Sequence, residues 1–356
     1  MATILVAVNA ISWPRVPARG NIGASAGSVT IAIPARNEEA HLDACLDAAL
    51  AQGPVVREIR VCDDHSTDGT LAILQARAAS DPRIVVQRAP ALPDGWTGKT
   101  HACQRLAEHT QTEWLLFLDC DTRLLPGAVE RLLAEAERRR LTFLAPWPGF
   151  PLGSPAEKIF MPLLNFAVFS LFPAALSLLD MRASLGLAHG ACLLMRREEY
   201  LRVGGHAAVR QELFEDTALA RAWRAAGFRG ACLDGQDIAR VRMYDRLGGI
   251  WTGFQKILHP AFRHEISFWL FLLFHAVLFV APVALLGIRP RAAGVMLGLA
   301  VLARALQALR FQYPIWSALL HAPAELGLVL CGLMSRLRVA SGHGLSWRGR
   351  IYHGRR

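Results

Sequence analysis

Hydrophobic and polar positions divide the chain into a region of short alternating runs and a C-terminal region of long apolar runs. From residue 29, short apolar runs predict strands, and runs with apolar residues every three or four positions predict helices. The predicted strands are Val29–Pro34, Ile59–Cys62, Arg83–Gln87, Glu113–Leu118 and Leu193–Met195, and the predicted helices are His41–Leu50, Leu71–Ala79 and Thr97–Glu108. The alternation predicts an α/β fold with a mostly parallel sheet and helices on both faces.

Three long apolar runs follow residue 261 and are candidate transmembrane helices. The run Ile266–Ile288 is long enough to cross a bilayer core of ~30 Å, and its only titratable residue is His275. The runs Ala292–Leu309 and Ile315–Met334 are weaker candidates because each contains a charged residue. Those charged residues are Arg304 and Glu325.

A fourth uncharged run, residues 159–179, is interpreted differently. A single crossing there would put the acidic residues before and after it on opposite sides of the membrane. Pro162, Asn165 and Pro173 also interrupt it. We therefore expect residues 155–180 to form an interfacial or re-entrant segment beside the active site.

The remaining segments complete the predicted domain organisation. Residues 1–13 are apolar but span only about 20 Å as a helix, so they predict a surface anchor or one arm of a hairpin. With the Pro/Gly/Ser-rich linker 14–28 they form an N-terminal segment, 1–28. The other predicted parts are a catalytic domain at 29–260, transmembrane helices at 261–340 and a basic tail at 341–356.

Arginines in the tail predict the orientation of the chain. By the positive-inside tendency, the tail and the catalytic domain both lie on the cytosolic side of the cytoplasmic membrane. Both ends on one side favour an even number of crossings. Because three candidate helices are present, the number of crossings stays open.

Composition narrows the class of partner. The net charge is +10, the hydrophobic fraction is 53%, and lysine occurs only at positions 99, 158 and 256. The positive charge suits an anionic membrane surface or an anionic nucleotide. No basic stripe interleaved with aromatic residues is present, so nucleic acid is not an expected partner. The seven cysteines form no Cys-x-x-Cys pair, which favours buried reduced thiols over disulfides or a zinc site.

The first candidate site motif is a polar loop that closes the first strand. Its sequence is Pro34-Ala35-Arg36-Asn37-Glu38-Glu39. Open α/β sheets bind ligands at the carboxyl ends of their strands, so Pro34, Arg36 and Glu38 are candidate ligand-binding residues. Capping of the following helix by Asn37 is the alternative.

Two carboxylates end the second strand. Asp63 and Asp64 precede a turn that contains Ser66 and Asp68. Carboxylates at this position can accept hydrogen bonds from ribose hydroxyls and from a base N–H. Helix capping accounts for Ser66 and Asp68, but not for Asp63 and Asp64.

A second acidic pair, Asp119 and Asp121, follows the apolar run Leu115–Leu118. Residues i and i+2 of an extended chain project to the same side, so the two carboxylates can converge. Two ionised carboxylates at the end of a buried strand repel each other, and a divalent cation relieves that repulsion. Oxygen ligands favour Mg²⁺ or Mn²⁺, which also bridges a diphosphate.

Two further elements predict contacts with the same ligand. Lys99 lies in the first turn of a predicted helix, where both the helix N-terminus and the ammonium favour an anion. A solvated surface lysine is the alternative. Gly190, in His189-Gly190-Ala191-Cys192, allows close approach of the backbone to a ligand, although tight sheet packing explains a glycine equally well.

The last motif is the acidic pair Glu215-Asp216, which opens an amphipathic helix. Transfer to a hydroxyl group requires a base that takes its proton, and Asp216 is the candidate, with Glu215 beside it. The alternative is a pair of acids that stabilises the first turn of a helix through its dipole.

In this order the motifs resemble glycosyltransferase family 2, which has the GT-A fold, over about residues 29–260. The resemblance implies inverting, metal-dependent transfer from a UDP- or GDP-sugar. It implies that Asp64 or Asp63 binds the nucleoside and that Asp119 lies at the ribose and the metal. It further implies that Asp121 binds the metal and that Asp216 is the base.

A narrower resemblance concerns bacterial carotenoid glucosyltransferases of the hydroxychlorobactene type. Its Gly-Trp-x-Gly-Lys element is also similar to hopanoid-associated glycosyltransferases. Polymerising members carry Gln-x-x-Arg-Trp where this chain has Arg240-Val241-Arg242-Met243-Tyr244, which favours transfer of one sugar per acceptor. The residues that carry this resemblance are Leu92–Lys99, Gly204–His206, Arg242–Tyr244 and Trp251–Lys256.

The sequence therefore predicts a membrane enzyme that transfers one hexose, from UDP-glucose, to the hydroxyl of a lipid such as a carotenoid. Transfer to polyprenyl phosphate or to a hopanoid lipid is an alternative. A non-catalytic membrane scaffold on a transferase fold is another. A nucleotidyltransferase is disfavoured because no Gly-rich basic loop lies near Pro34.

Overall fold

A computed structural model describes residues 2–18, 27–262, 264–341, 345–347 and 350–352. Most of the predicted 14–28 linker and most of the predicted basic tail lie outside these ranges. The chain divides into two compact units. We name Trp13–Pro151 with Ala174–Met243 the sheet unit, and Met1–Ser12 with Leu152–Pro173 and Tyr244–Arg356 the helix unit. Both units are discontinuous in sequence, whereas the predicted domains are continuous.

The strands and helices are labelled in chain order. The strands are β1 Val29–Ala35, β2 Val56–Asp63, β3 Ile84–Arg88, β4 Trp114–Leu118, β5 Thr122–Leu124, β6 Phe143–Gly149, β7 Cys192–Arg196, β8 Gly230–Val241, β9 Leu345–Trp347 and β10 Arg350–Tyr352. The helices are α1 Ala2–Ser12, α2 Leu42–Leu50, α3 Thr70–Ser80, α4 Gly98–Glu108, α5 Ala128–Arg139, α6 Pro155–Phe160, α7 Pro162–Leu171, α8 Leu176–Leu179, α9 Arg197–Val203, α10 Glu215–Ala225, α11 Leu247–Ile257, α12 Glu265–His275, α13 Ala281–Leu285, α14 Pro290–Phe311 and α15 His321–Ala340.

The sheet unit contains one eight-stranded sheet in the order β3-β2-β1-β4-β7-β6-β8-β5. The four strands β3, β2, β1 and β4 run parallel to their neighbours, and β6 is parallel to β8. Strand β7 is antiparallel to both β4 and β6, and β5 is antiparallel to β8. The predicted mostly parallel sheet is confirmed.

Both faces of this sheet are buried, which explains why its central strands are continuously apolar. Every residue of β4 is buried. Leu116 and Leu118 belong to the core that includes α2 and α5. Phe117 instead packs against Tyr200, with ring centroids 5.6 Å apart. Successive side chains of a strand point to opposite faces, so one five-residue strand contributes to two cores.

All seven cysteines are buried and free, as the sequence predicted.

Among its described residues, the helix unit contains three helices that are long and apolar enough to cross a membrane. They are Glu265–Leu285, Pro290–Phe311 and Ile315–Ala340, judged by length and composition. The first consists of α12, a π-helical turn at Ala276–Val280, and α13.

The uncharged run 159–179 is divided among three short helices. Pro162 begins α7, and α7 ends before Pro173 because proline removes a backbone donor and clashes with the preceding turn. The α7 end is tied to α1, since Asn9 Nδ2 donates to the carbonyl oxygens of Phe169 at 2.9 Å and Phe172 at 2.8 Å. The N-terminal helix thus packs within the helix unit.

Candidate functional site

The predicted motifs meet at one edge of the sheet. Strand β1 pairs in parallel with β2 on one side and with β4 on the other. The carboxyl ends of these three strands therefore lie side by side, at the point where open α/β sheets bind ligands. Pro34 lies near the end of β1, Asp63 ends β2, and Asp119 follows β4.

The loop after β1 is tied to the loop after β2. Arg36 Nη1 donates to the carbonyl oxygens of Asp64 and His65, the second at 3.2 Å. The backbone N–H of Glu38 donates to Thr70 Oγ1 at 2.8 Å. Predicted residues of the first loop thus hold predicted residues of the second in place.

Two of the helix-capping alternatives are wrong. Asn37 does not cap α2: its Oδ1 accepts the backbone N–H of Thr67 at 2.8 Å. Ser66 Oγ accepts the backbone N–H of Asn37 at 3.0 Å and does not cap α3. Asp68 does bond to the first turn of α3, since its Oδ1 accepts the N–H of Thr70 at 3.0 Å.

Asp63 and Asp64 are both buried, at 0% and 3% exposure. Asp63 Oδ1 accepts the backbone N–H of Ser66 at 3.3 Å, and Arg88 Nε lies 3.9 Å from Oδ2. The carboxylate of Asp63 therefore shapes its own loop. Binding of a nucleoside by either residue stays a prediction.

Asp119 and Asp121 lie half-buried in the turn between β4 and β5. Their charges reach one thiol: burial raises the pKa of Cys45 to about 12, and Asp121, Asp119 and Glu38 raise it while Arg123 opposes them. The carboxylates of three predicted site residues thus all raise the pKa of the same thiol. The convergence of Asp119 and Asp121 on a metal stays a prediction.

The carboxylates of this site suit a divalent ion only if a bound substrate supplies further oxygen ligands. Among the residues that the structure describes, no three His, Cys, Asp or Glu side chains are grouped to hold a metal. Mg²⁺ and similar ions are commonly held by one or two carboxylates together with water and substrate phosphates. Asp119 and Asp121 suit that arrangement, because they are half-buried carboxylates in one turn.

Lys99 binds carboxylates from two other elements. Its Nζ lies 2.8 Å from Asp119 Oδ1 and 2.9 Å from Oδ2, and 2.9 Å from Glu215 Oε1. Burial lowers the pKa of Lys99, but Asp119 and Glu215 outweigh it and raise the pKa well above its usual value. The alternative of a solvated surface lysine is wrong. We name Lys99, Asp119, Gly190, Glu215 and Asp216 the Lys99 cluster.

Gly190 is enclosed by the Lys99 cluster. The antiparallel pairing of Leu118 with Cys192 brings the start of β7 to the end of β4, and Asp119 N donates to Ala191 O at 3.0 Å. A Cβ on Gly190 would lie 3.1 Å from Lys99 Nζ and 3.3 Å from Asp216 Oδ2. The glycine therefore accommodates the charged side chains of the site.

Asp216 is the carboxylate best suited to accept a proton. Burial raises its pKa to about 7, the negative charge of Glu215 raises it as well, and Lys99 opposes both. Its Oδ1 accepts the backbone N–H of Thr217 at 2.6 Å. A base whose pKa lies near the operating pH is efficient at proton transfer.

The sequence did not predict a group of aromatic rings that lies next to Gly190. The His189 ring lies 5.1 Å from the Trp147 ring and 5.7 Å from the Phe150 ring. Burial and Lys99 lower the pKa of His189 to about 3, and its Nδ1 accepts the N–H of Ala191 at 3.3 Å. The neutral His189 is therefore a packing and hydrogen-bonding group. No motif in the sequence marks Trp147 or Phe150.

Known proteins resemble this chain in sequence and in fold. Residues 30–204 match the family model for glycosyl transferase family 2. These residues therefore contain a glycosyl transferase family 2 domain, and the predicted fold class, an α/β fold with a GT-A-like sheet, is confirmed.

Two sets of relatives are carotenoid glycosyltransferases. The 4,4'-diaponeurosporenoate glycosyltransferase of Staphylococcus aureus (strain MRSA252) is 29% identical over 245 residues, 67% of this chain. That of Staphylococcus haemolyticus (strain JCSC1435) is 25% identical over 248 residues, 68% of this chain. The matches span 60% and 62% of the lengths of these relatives.

A solved structure with a similar fold is a mannosyltransferase from Pyrobaculum calidifontis in complex with GDP-Man and Mn2+. It matches with a TM-score of 0.54 and 18% identity, over 95% of this chain and 94% of that one. At this identity the similarity concerns the fold.

Proposed function

We propose that the protein is an inverting glycosyltransferase that moves one hexose from a UDP-hexose such as UDP-glucose to a lipid acceptor. The observation that carries the proposal is the Lys99 cluster, which gathers Asp119, Glu215 and Asp216 around one cation at the carboxyl end of β4. The cluster lies at the ligand-binding edge of a family 2 domain.

Each predicted residue has a part in binding the donor. Asp64 or Asp63 accepts hydrogen bonds from the nucleoside, and the β1 loop with Pro34, Arg36 and Glu38 holds the Asp64 loop. Lys99 positions the carboxylate of Asp119 for the ribose, and Gly190 leaves room for Lys99 and Asp216 beside the sugar diphosphate. The burial of Asp63 and Asp64 supports these roles, since a desolvated carboxylate forms strong hydrogen bonds.

The residues that would hold Mg²⁺ or Mn²⁺ are Asp121 and Asp119. A bound divalent ion would neutralise charge on the departing diphosphate. In support, both carboxylates occupy one half-buried turn.

Asp216 takes the proton in the transfer step. The acceptor oxygen attacks the anomeric carbon, the bond from that carbon to the diphosphate oxygen breaks, and the acceptor proton moves to the Asp216 carboxylate. The products are the glycosylated lipid and UDP. A single displacement inverts the anomeric configuration. Glu215 supports the reaction by raising the pKa of Asp216.

The acceptor is the hydroxyl of an apolar lipid such as a carotenoid. Three helices long enough to cross a membrane support an acceptor that resides in the bilayer. The chain would lie in the cytoplasmic membrane with its catalytic domain in the cytosol. The names of the relatives favour the carotenoid class over hopanoid lipids and polyprenyl phosphate.

A carboxylate acceptor is the second candidate, because the relatives are named for a carotenoid carboxylate, diaponeurosporenoate. A carboxylate is already anionic and needs no base. The raised pKa of Asp216 favours the hydroxyl instead, since a base at pH 7 is useful only where a proton must be removed.

Mass spectrometry of lipid extracts from cells with and without the protein tests the proposal. We expect a lipid that gains about 162 Da, the mass of one hexose residue, only when the protein is present. The sugar should be bound through an alkali-stable glycosidic (acetal) bond. An alkali-labile ester would identify the carboxylate acceptor. No new glycolipid, together with no binding of UDP-sugars in Mg²⁺ or Mn²⁺, would identify a scaffold.

A further inference from the structure

The helix unit contains a second group of ionisable side chains, deeply buried. His275 ends α12, His321 begins α15, and Glu325 lies one helical turn after His321. Their exposures are 0%, 1% and 0%. We name these three residues the His321 cluster. Ionisable residues inside transmembrane helices are costly and commonly mark a functional site.

Bonds within the His321 cluster leave several polar atoms over. His275 Nδ1 lies 2.7 Å from Glu325 Oε2, a strong hydrogen bond. His321 Nε2 lies 3.6 Å from Glu325 Oε1, which is too far for one. Within the described part of the chain, both ring nitrogens of His321, Nε2 of His275 and Oε1 of Glu325 have no hydrogen-bond partner.

Neighbouring polar residues have a structural explanation that does not extend to the His321 cluster. Gln307 Nε2 donates to Pro162 O at 2.8 Å, and Arg304 Nη2 donates to Ile159 O at 3.1 Å. These bonds serve carbonyl groups at the break between α6 and α7, where Pro162 offers no backbone N–H. His321 also lies at a junction, where the 3-10 helix Ile315–Leu320 meets α15, but among the described residues its ring nitrogens bond to no carbonyl there.

Aromatic rings surround the His321 cluster. The His321 ring lies 4.5 Å from the Phe166 ring and 5.0 Å from the Phe279 ring, and the His275 ring lies 4.3 Å from that of Phe271. Phe279 belongs to the π-helical turn that directly follows His275. Such turns are frequent at functional sites, since they redirect side chains that a regular helix would place elsewhere. The surroundings therefore suit a mostly apolar molecule.

We propose that the His321 cluster binds the hydroxyl end of an apolar polyene or isoprenoid alcohol. The inference rests on the proposed function, because it takes the acceptor to be a lipid alcohol. It adds a second site for that lipid, in the helix unit, to the donor site in the sheet unit.

A count of the hydrogen-bond donors and acceptors in the cluster favours a hydroxyl over the other polar groups of lipids. Whichever atom of the His275–Glu325 bond carries its hydrogen, Glu325 Oε1 is left over as an acceptor. A neutral His321 provides one further donor and one further acceptor. The ligand must therefore both donate and accept. A ketone only accepts, and so does an ionised carboxylate or phosphate.

Binding of retinol, a fluorescent polyene alcohol, tests the site without any nucleotide sugar. The full chain in nanodiscs is titrated with retinol, binding is followed by energy transfer from tryptophan, and empty nanodiscs give the background. We expect His321→Phe and Glu325→Gln each to weaken binding at least tenfold. Phenylalanine suits the aromatic surroundings of His321, and glutamine replaces an acceptor oxygen by an amide of the same shape.

The matched control is His259→Phe, since His259 bonds to Glu265 outside the cluster and packs on Phe268. It should bind retinol like the wild type. Retinoic acid, which carries a carboxylate in place of the hydroxyl, should bind at least tenfold more weakly than retinol when it is titrated in the same way, with tryptophan quenching as the signal. If His321→Phe unfolds, Glu325→Gln decides.

Wild-type affinity for retinol in Glu325→Gln, or equal affinities of the wild type for retinol and retinoic acid, would overturn the inference. Because the assay contains no donor, a failure of sugar transfer would refute the proposed function without touching this site. If instead the wild-type protein transfers sugar normally but does not bind retinol, this inference is refuted and the proposed function stands.

Discussion

The Lys99 cluster and the His321 cluster are two groups of ionisable side chains that differ in their exposure and in how fully their polar atoms are bonded. In the first, one ammonium faces the carboxylates of Asp119 and Glu215, and the side chains of Lys99 and Asp119 are 19% and 30% exposed. In the second, Glu325 and two histidines are at most 1% exposed, and several of their polar atoms have no partner among the described residues.

This difference indicates what each cluster can do. Compensated and partly hydrated charges tolerate the arrival of an anionic nucleotide and the movement of a proton. A fully buried cluster in an apolar bundle cannot accept net charge cheaply, but it can bind one neutral polar group strongly. The predictions below separate a chemical role of the first cluster from a binding role of the second.

The largest effect is expected from Asp216→Asn. Asparagine has the shape of aspartate but cannot accept the acceptor proton, so transfer to a hydroxyl should fall by about 10²–10⁴-fold. Binding of UDP with Mn²⁺, measured by calorimetry, should stay near the wild-type value. The rate of transfer is measured with radiolabelled UDP-glucose and a membrane extract that contains the acceptor.

Near-normal transfer by Asp216→Asn would refute the base assignment and favour an acceptor that is already anionic. Glu212→Gln, a change of the same type in the loop before α10, is the matched control and should leave transfer within twofold.

The next effect concerns the stability of the helix unit. His275→Leu leaves the buried Glu325 carboxylate without its 2.7 Å donor. Leaving a buried carboxyl group without its hydrogen-bond partner costs about 1–3 kcal/mol, which should appear in the free energy of unfolding measured by titration with SDS in mixed micelles. His275→Gln keeps a donor in reach and should recover at least half of the loss.

An unfolding free energy of His275→Leu equal to that of the wild type would contradict a stabilising pair. Glu325 would then be held by another group, and the distinction between the two clusters would weaken.

Lys99→Met is expected to act on the pH dependence of transfer. The positive charge of Lys99 lowers the pKa of Asp216, and that pKa is nevertheless about 7. Wild-type activity should therefore fall about tenfold per pH unit below 7, where the base becomes protonated. Without Lys99 the pKa rises further, so this limb of the pH–rate profile should move to higher pH, and kcat should fall about 10–100-fold at pH 7.

Lys99→Arg retains the charge and should keep the limb near pH 7. Lys158→Met changes a lysine outside the cluster and should have the wild-type profile. An unshifted profile in Lys99→Met would mean that Lys99 supports the site only as a structural tie between Asp119 and Glu215.

Much of the fold was predictable because hydrophobic periodicity reports directly on burial. Strands β1 to β4 and helices α2 to α4 lie within a few residues of their predicted bounds. Strand β6 was missed, since Pro146 and Pro148 argue against a central strand. Its pairing with β7 ends at Leu144, so the prolines lie where only β8 is bonded, and a missing donor is tolerated there.

The candidate site was predictable in its members but not in its contacts. A carboxylate after a buried strand is unusual enough to be recognised, as with Asp119. The pairing of Lys99 with Asp119 and Glu215 joins residues of α4, of the turn after β4 and of α10, and such long-range contacts are not reported by periodicity. His275 and Glu325 were noticed as charges in apolar runs. Their contact joins residues 50 positions apart through helix packing, and no local pattern contains it.

The smallest effect is expected from Gly190→Ala, which tests how tightly the Lys99 cluster closes around its glycine. The added Cβ would lie 3.1 Å from Lys99 Nζ and 3.3 Å from Asp216 Oδ2, closer than ordinary van der Waals contact. The ammonium is the end of a flexible side chain, so it can shift by a few tenths of an ångström and the protein should fold. The displaced Lys99 should still pair with Asp119 but less closely with Glu215, and kcat should fall about threefold to tenfold, roughly 1 kcal/mol in the activation barrier.

Gly248→Ala is the matched control, since a Cβ there meets nothing within 4 Å and the residue lies in helix α11. It should leave kcat unchanged and slightly raise stability, because alanine favours helix by about 1 kcal/mol over glycine. If Gly190→Ala matches Gly248→Ala in kcat and in the pH–rate profile, the cluster has room to spare. Lys99 would then be a mobile counter-ion. The Lys99 cluster and the His321 cluster would then differ only in their exposure to water.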